Sequence, residues 1–457
     1  MSSRRTPRIV AGDVSGPHPA LPRRGRESES PHPDPPSPAR DEVFRSRADI
    51  VRSPWAVGFV VLAIYGIWLV AFFGLGHDAL DFTYRSRTLL NQSHVSSVIT
   101  PDPRVTNDAG GYDSQFFYYL AVDPVNARYY MDANTYRYTR ILYPMVARVL
   151  GLGQPGLIAY MLIIVNWLAL AGGTVALAAW LRRKRVSPWF ALVYGFYPGL
   201  FFGLQRDLSE PLAYGLVALA ILLFDRPFGN AAPRLGEGRV GASLLPAAAV
   251  FALAALTRET TALFALLYAA SLLVRGRAIS GWWEGVRANW RNALLFLAVA
   301  LMPLAAWKAF LLLWLGPQGD AGLQFTALPF QGVWHWRGAI TTVEQMDQIR
   351  SVVIPGVLVG ATAAVALARG ILRRDVVVLL AHVLLFIVFM QAASYANYSG
   401  SGRISTGVVL AALLCLPVIG YLGQRAWFWI SSTLWLNLLP FWLGVPILHF
   451  ALSLLKR

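Results

Sequence analysis

Long apolar runs separated by short charged loops are the dominant pattern of this chain. The first run extends from Trp55 to Leu75. The others lie near residues 156–181, 188–205, 211–224, 243–257, 260–274, 292–315, 351–369, 376–392, 406–422 and 427–450. Helices of about 20 residues cross a hydrocarbon layer about 30 Å thick. The pattern predicts an all-α, polytopic transmembrane protein with about eleven spans, although Pro440 and Pro446 leave the side on which the last span ends open.

The segment before the first run has a different composition. Residues 1–52 are rich in Pro, Ser and Arg and contain almost no aromatic residues. Such a segment buries too little apolar surface to offset the entropy of an ordered chain. It is predicted to be a disordered cytoplasmic tail, and residues 53–457 are predicted to form one transmembrane domain. Because the first apolar run follows this long tail, we expect a retained signal anchor and not a cleaved signal peptide.

The charged residues predict the orientation of the spans. If the tail is cytoplasmic, the loops on its side are net basic, as at residues 182–185 and 369–374. The opposite loops hold a larger share of the carboxylates. They are residues 76–140, 206–210, 257–260, 316–350 and 393–405. This alternation predicts a multi-pass protein of the cell membrane whose long loop 76–140 lies on the non-cytoplasmic face.

Composition and charge exclude other classes of protein. With 56% hydrophobic and only 14% charged residues, the chain has more apolar surface than a soluble core could use, so membrane lipids are its expected surroundings. The net charge is +16, but the arginines collect at the ends of apolar runs, and no basic domain with base-reading aromatic residues lies outside them. Nucleic acid is therefore not an expected partner. Because His335 has no second ligand at metal spacing, no cofactor is predicted, with a divalent metal left open.

Loop 76–140 interleaves carboxylates and aromatic residues beside the first span. A carboxylate at Asp113 could take a proton from an acceptor hydroxyl, and aromatic faces could bind a sugar or an acyl chain. The candidate substrate-binding residues of this region are Tyr112, Gln115, Arg137 and Arg140. The alternative is an aromatic belt at the membrane interface, with an aspartate that caps a helix. Apolar residues at helical spacing over 141–150 indicate a helix lying in the interface, or else the first part of the next span.

A charged turn between two later spans supplies further candidates. Arg206, Asp207 and Glu210 lie in this turn, and the two acids would share one side of a helical turn. The alternative is a capping box in which Asp207 or Ser209 starts the next helix.

The turn at Arg258 and Glu259 is expected to lie below the membrane surface. Residues 241–274 are too few for two full crossings and a turn. Charges at that depth are costly unless they pair or line a wet cavity, so both are candidate substrate-binding residues, and their mutual pairing is the alternative. Arg403 and Arg337 could hold a phosphate, or could be interfacial arginines that extend towards water.

Three blocks of the sequence resemble a known family. The blocks are Gly111 to Tyr119, Tyr197 to Pro211 and Leu256 to Glu259. Their order and placement are similar to those of the polytopic mannosyltransferases that add the second mannose to glycosylphosphatidylinositol, and of their bacterial relatives, within the GT-C fold of glycosyltransferases. The resemblance covers roughly residues 53–275. By this resemblance, Asp113 matches the first-loop aspartate that such enzymes use as catalytic base or to orient the acceptor, but Ser114 stands where a glycine is expected.

The resemblance also implies a polyprenyl-phosphate sugar donor and a glycan, glycolipid or protein acceptor. The predicted topology favours the same donor, because nucleotide sugars are not supplied outside the cytoplasm. The hypothesis is an inverting transfer in which Asp113 deprotonates the acceptor while Arg206 or Arg258 stabilises the leaving phosphate. The residues expected to orient those arginines or the acceptor are Asp207, Glu210 and Glu259. The alternatives are a non-catalytic assembly protein for a cell-surface glycopolymer and a lipid or sugar transporter.

Overall fold

The computed structural model of the chain describes eight stretches of sequence. They are residues 53–91, 95–99, 105, 111–225, 239–273, 282–317, 324–334 and 342–455. The predicted tail 1–52 lies outside them, as does Arg337. Within these stretches 81% of the residues are helical and there is no strand, which confirms the prediction of an all-α protein.

The α-helices of the described stretches are numbered here in chain order. They are α1 Pro54–Gly74, α2 Arg87–Asn91, α3 Ser114–Val122, α4 Asn134–Tyr138, α5 Leu142–Leu150, α6 Pro155–Arg183, α7 Ala191–Gly195, α8 Pro198–Gln205, α9 Glu210–Phe224, α10 Arg239–Thr257, α11 Ala262–Leu273, α12 Trp282–Leu315, α13 Gln331–Trp334, α14 Thr342–Gln348, α15 Ile354–Ala368, α16 Arg374–Val383, α17 Tyr398–Ile404, α18 Thr406–Tyr421, α19 Arg425–Leu436 and α20 Leu439–Leu455. Short 3-10 segments lie at Ala79–Thr83, Asn126–Tyr130, Pro188–Phe190, Glu259–Thr261 and Ala392–Tyr395, and π segments at Ile349–Val353 and Leu384–Val388.

Six stretches in the described part are long and apolar enough to cross a membrane. They are Pro54–Gly74, Pro155–Arg183, Val286–Leu315, Val343–Ala368, Tyr398–Tyr421 and Arg425–Leu455. Three shorter apolar helices are Glu210–Phe224, Leu244–Thr257 and Glu259–Leu273. This is the pattern of a helical membrane protein with several spans, and the count of about eleven stays a prediction.

Two predicted spans are divided into separate helices. Residues 188–205 form a 3-10 segment followed by α7 and α8, and α8 begins at Pro198, where the missing N–H of proline removes no helical hydrogen bond. The last predicted span is divided between α19 and α20. Pro440 lies in the first turn of α20, whereas Pro446 is accommodated inside that helix.

Residues 142–150 form a short helix of their own, α5. Tyr143 and Ala147 are buried on one side of it, whereas Val149 and Leu150 are exposed. A separate amphipathic helix at this position is therefore confirmed, and its place in the membrane interface stays a prediction.

The interior of the bundle is built around α6, α9 and α18. Helix α6 packs against α1 and α9, α9 also packs against α10, and α10 and α11 both pack against α12. The stretch that contains α18 is mostly buried, whereas α12 and the α19–α20 pair are largely exposed, as expected for helices that face lipid.

Helix α9 places charged residues at both ends of the bundle. Glu210 is its first residue, and Asp225 follows its last. At 1.5 Å per residue the helix is about 22 Å long, which is shorter than the hydrocarbon layer of about 30 Å. The two ends carry different ion-pair clusters.

Candidate active site

Asp113 is positioned by a turn that packs against the end of the 3-10 segment Ala79–Thr83 and the residue that follows it. Gly111 has φ +70°, a left-handed conformation that favours glycine, and a Cβ there would lie 2.7 Å from the backbone oxygen of Tyr84. The backbone N–H of Tyr112 donates to that oxygen at 3.0 Å. The Ser114 hydroxyl donates to the backbone oxygen of Thr83 at 2.7 Å, so the serine closes the turn with its own hydrogen bond.

Gln115 supports this turn from inside the protein. Its side chain is buried, and its Oε1 atom accepts a hydrogen bond from the backbone N–H of Ser86 at 2.9 Å. The predicted substrate-binding residue therefore lies behind the site, where it holds residues 84–86 against the start of α3.

The Asp113 carboxylate lies between two arginines. Its Oδ1 atom is 2.8 Å from Nη1 of Arg137, and its Oδ2 atom is 3.2 Å from Nη2 of Arg403. Arg137 also pairs with the half-exposed Asp132 at 2.8 Å. Although Asp113 occupies the position before α3, its side chain caps no backbone N–H. The helix-cap interpretation of this aspartate is therefore wrong.

Arg403 continues the network into the interior. Its Nε atom is 3.3 Å from Oε1 of Glu210, and the same oxygen is 2.8 Å from Nη1 of Arg258. The Glu210 and Arg258 side chains are only 1% and 4% exposed. Residues far apart in the sequence thus form one alternating chain of charges, in which Glu210 contacts both Arg258 and Arg403. Its predicted role in orienting an arginine for substrate stays a prediction.

A second buried pair lies beside this chain. Arg140 donates to Glu259 at 2.8 and 3.0 Å, and it also donates to the Tyr136 hydroxyl. The predicted mutual pairing of Arg258 and Glu259 is therefore wrong, because each of the two residues has another partner. Consecutive residues in an extended backbone point to opposite sides, and Arg258 has extended φ and ψ angles.

Arg206 is held by aromatic rings. Its guanidinium carbon is 3.6 Å from the centroid of the Tyr84 ring and 5.6 Å from that of Tyr112. Arg403 lies 5.4 Å from the same Tyr112 ring, and the Tyr112 hydroxyl hydrogen-bonds to Oγ of Ser399 at 2.7 Å. Within the described stretches Arg206 forms no ion pair, so its charge is balanced mainly by ring faces.

Asp207 does not join the network. It is fully buried in a left-handed conformation with φ +45°, and neither carboxylate oxygen has a hydrogen-bond partner among the described residues. Ser209 precedes α9 without a side-chain cap, so the capping-box interpretation of this turn is wrong. Burial raises the pKa of Asp207 well above its usual range, and among the described residues its carboxylate orients no arginine.

A cavity of about 330 Å³ opens beside the second buried pair. It is lined by Tyr136, Thr139, Glu259, Thr260, Ala262, Leu263, Leu266, Lys308, Phe325, Leu385 and Phe386. Lys308 was missed as a site residue from sequence. Its signal was present, because it is a lone lysine inside the predicted span 292–315, and an ionisable residue in a span commonly marks function.

Comparisons of the chain with family models, with curated proteins and with solved structures found no match. In the described part of the chain no group of three or more His, Cys, Asp or Glu side chains could hold a metal ion.

The charge on Asp113 predicts a loss of stability in acid. Burial alone would raise the pKa of Asp113, but the guanidinium groups of Arg137, Arg403 and Arg140 hold it well below its usual range. A carboxyl group with a lowered folded-state pKa stabilises the protein above its unfolded pKa of about 3.9, and that stability is lost as the pH falls further. We therefore expect the difference in Tm between the wild type and Asp113→Asn to be largest at neutral pH and to shrink below about pH 4.

Thermal unfolding of both proteins in the same detergent, from neutral to acid pH, measures this difference. A difference that stays constant over the whole range would contradict the expectation.

Proposed function

We propose that this protein is a membrane glycosyltransferase of GT-C type. It would move a mannose-like sugar from a polyprenyl-phosphate donor to a glycan, glycolipid or protein acceptor on the non-cytoplasmic face. One observation carries the proposal: Asp113, Glu210, Arg258 and Arg403, which lie far apart in the sequence, form one ion-pair network at one end of α9. The resemblance of the surrounding sequence blocks supports the same reaction class.

In the proposed reaction the acceptor oxygen forms a bond to the anomeric carbon as the bond from that carbon to the phosphate oxygen breaks. The hydroxyl proton passes to Asp113, and the bonding electron pair leaves with the polyprenyl phosphate. This single displacement inverts the anomeric centre. Glu210 positions Arg258 and Arg403, so that both can face the developing charge on the phosphate.

The arginines also control how well Asp113 can accept a proton. A carboxyl group with a strongly lowered pKa is a weak base, and both oxygens of Asp113 are paired with arginine. A donor phosphate would compete for Arg403, and the loss of that partner would raise the pKa of Asp113. Donor binding would thereby make Asp113 a better base at the point when the acceptor needs one.

Arg206 is the cation best able to bind the donor phosphate first. Its partners in the described stretches are the rings of Tyr84 and Tyr112, which leave the guanidinium hydrogen-bond donors available for phosphate oxygens. Arg206 and Arg403 both lie within 6 Å of the Tyr112 ring centroid, at 5.6 and 5.4 Å, so a phosphate at this ring could contact both arginines.

The cavity that Lys308 lines is suited to be the entrance through which a lipid-linked donor reaches the site. The cavity combines a lysine on α12 with apolar walls from Leu263, Leu266 and Phe386, a combination that matches a phosphate attached to a hydrocarbon chain. The predicted topology of about eleven spans, with short crossings near this site, would let the cavity open below the membrane surface.

The proposal is tested by comparing two sugar donors. Membrane vesicles containing the protein are given radiolabelled mannose either on polyprenyl phosphate or on a nucleoside diphosphate, and we expect transfer from the lipid-linked donor alone. A purified protein that transfers from neither donor would favour an assembly role, and one that moves the intact donor between leaflets would favour a transporter.

Lys308→Gln should raise the KM for the lipid-linked donor about ten-fold with little change in kcat, because Lys308 is proposed to attract the donor phosphate at the entrance, before the donor reaches the reacting position beside Asp113. Lys308→Arg, which keeps the charge, should stay close to the wild type. Steady-state kinetics in vesicles measure both values. Equal loss of kcat in both variants would contradict a role in donor binding.

A further inference from the structure

A larger cavity lies at the other end of the bundle, between the end of α6 and the turn that joins α18 to α19. Its volume is about 630 Å³, which is within the usual range for sites that bind small molecules. The lining residues are Lys184, Arg185, Val186, Ser187, Phe190, Leu416, Pro417, Gly420, Tyr421, Arg425, Phe428 and Trp429. Three of them are cationic and none is acidic.

The three cations differ in how their charge is balanced. Lys184 is 2.9 Å from Asp225, whose other oxygen is 3.0 Å from Arg374, so its charge is already compensated. Arg185 and Arg425 are exposed, and neither forms an ion pair within the described stretches. The cavity therefore has two uncompensated guanidinium groups at its rim, which favours an anionic ligand.

Backbone and hydroxyl donors lie at the same rim. Helix α19 has twelve residues and begins at Arg425, and the preceding Gln424 makes no side-chain cap, so the first N–H groups of α19 are available to a ligand. The Ser187 hydroxyl lines the cavity and does not cap the 3-10 segment that follows it. Phosphate oxygens accept hydrogen bonds from all of these groups.

The inner wall of the cavity is apolar and aromatic. Phe190 packs against Phe428 and Trp429, with ring centroids 5.7 and 5.1 Å apart, and Leu416 and Pro417 complete this wall. Trp429 is exposed, as aromatic residues at a membrane interface commonly are. A ligand that joins a phosphate to a hydrocarbon part would match both the cationic rim and this apolar wall.

We propose that this cavity binds the headgroup of an anionic phospholipid. The phosphate would contact Arg185, Arg425 and the first turn of α19, and the acyl chains would extend past Phe190 and Trp429. Basic pockets between helices, on the side where positive loops collect, are where anionic lipid headgroups bind. The bound lipid would link the end of α6 to the start of α19, and this role does not depend on the proposed sugar transfer.

Lipid titration followed by native mass spectrometry tests the proposal on the full chain in a non-ionic detergent. Wild-type protein should bind phosphatidylglycerol more tightly than phosphatidylcholine. In the double variant Arg185→Gln/Arg425→Gln, the affinity for phosphatidylglycerol should fall about ten-fold or more, with that for phosphatidylcholine unchanged. The matched control is Arg182→Gln/Arg369→Gln, which removes the same charge from exposed residues that do not line the cavity, and it should bind as the wild type does.

A second variant fills part of the cavity with a larger side chain and keeps both arginines. A Cβ at Gly420 would meet only Arg425 atoms at 3.6 Å, so Gly420→Leu can place its side chain in the cavity without disturbing the backbone. This variant should also lose phosphatidylglycerol binding. The proposal is overturned if the control loses as much affinity as the cavity variants, or if wild-type protein binds both lipids equally. Displacement of the lipid by millimolar inorganic phosphate would instead assign the cavity to free phosphate.

Discussion

Replacing Asp113 with asparagine should lower the rate of sugar transfer by about 10² to 10⁴-fold, the usual loss when a general base is removed. The asparagine keeps the size of the side chain but cannot take the acceptor proton. Arg137 keeps Asp132 as a partner and Arg403 keeps Glu210, so the network should remain folded. Initial rates with the lipid-linked donor, measured in vesicles with matched protein amounts, give the effect.

Asp132→Asn is the matched control for this variant. Asp132 pairs with the same Arg137 at the same distance of 2.8 Å, but it lies half-exposed at the end of the chain of charges. Because exposed ion pairs contribute little, its rate should stay within about three-fold of the wild type. Equal losses in the two variants would mean that Asp113 acts only by holding Arg137, and undiminished transfer by a folded Asp113→Asn variant would reject the catalytic role.

Arg258→Met should lower the free energy of unfolding by about 3 kcal/mol, the lower part of the range for removing one member of a buried ion pair. The Glu210 carboxylate is almost completely buried, and in this variant it keeps only the longer contact with Arg403. The cost is the burial of a carboxylate that has lost its closer partner, and not simply the loss of one contact. Unfolding of the wild type and the variant in the same detergent measures this difference in free energy.

The double variant Glu210→Gln/Arg258→Gln separates stability from activity. Two neutral amides of similar size remove the uncompensated charge, so most of the lost stability should return. Transfer should nevertheless stay low, because the variant lacks the arginine proposed to face the phosphate. A double variant that is less stable than Arg258→Met would show that the pair has another role in the fold.

Some features of this site could be predicted from the spacing of residues along the chain. The short hairpin of α10 and α11 was expected because residues 241–274 are too few for two full crossings, and the structure has this hairpin with Arg258 buried at its turn. Asp113 could be proposed because a carboxylate in a loop rich in aromatic residues can serve as a base, and Arg403 because an arginine outside the spans can hold a phosphate. Lys308 is an ionisable residue inside the predicted span 292–315, which is a further signal of this kind.

Spacing could not identify the partners of these residues. Arg258 and Glu259 are neighbours, and the pairing expected from proximity in sequence is replaced by pairs with Glu210 and Arg140. The spacing of Asp207 and Glu210 predicts that they act together. In the structure the backbone of Asp207 is left-handed, and its side chain is buried outside the network that contains Glu210. Ion pairs depend on distances of about 3 Å, which the packing of helices determines.

The sequence by itself determined that this is an all-helical membrane protein, because the length and composition of an apolar run are local properties that need no knowledge of packing. It also located the charged turns that supply the candidate residues. Only the tertiary structure decided that Asp113 meets Arg403, 290 residues further along the chain, and that Glu210 lies between Arg403 and Arg258. The physical reason is that a buried charge takes its partner from whichever helix packs beside it, and that neighbour is set by the whole bundle.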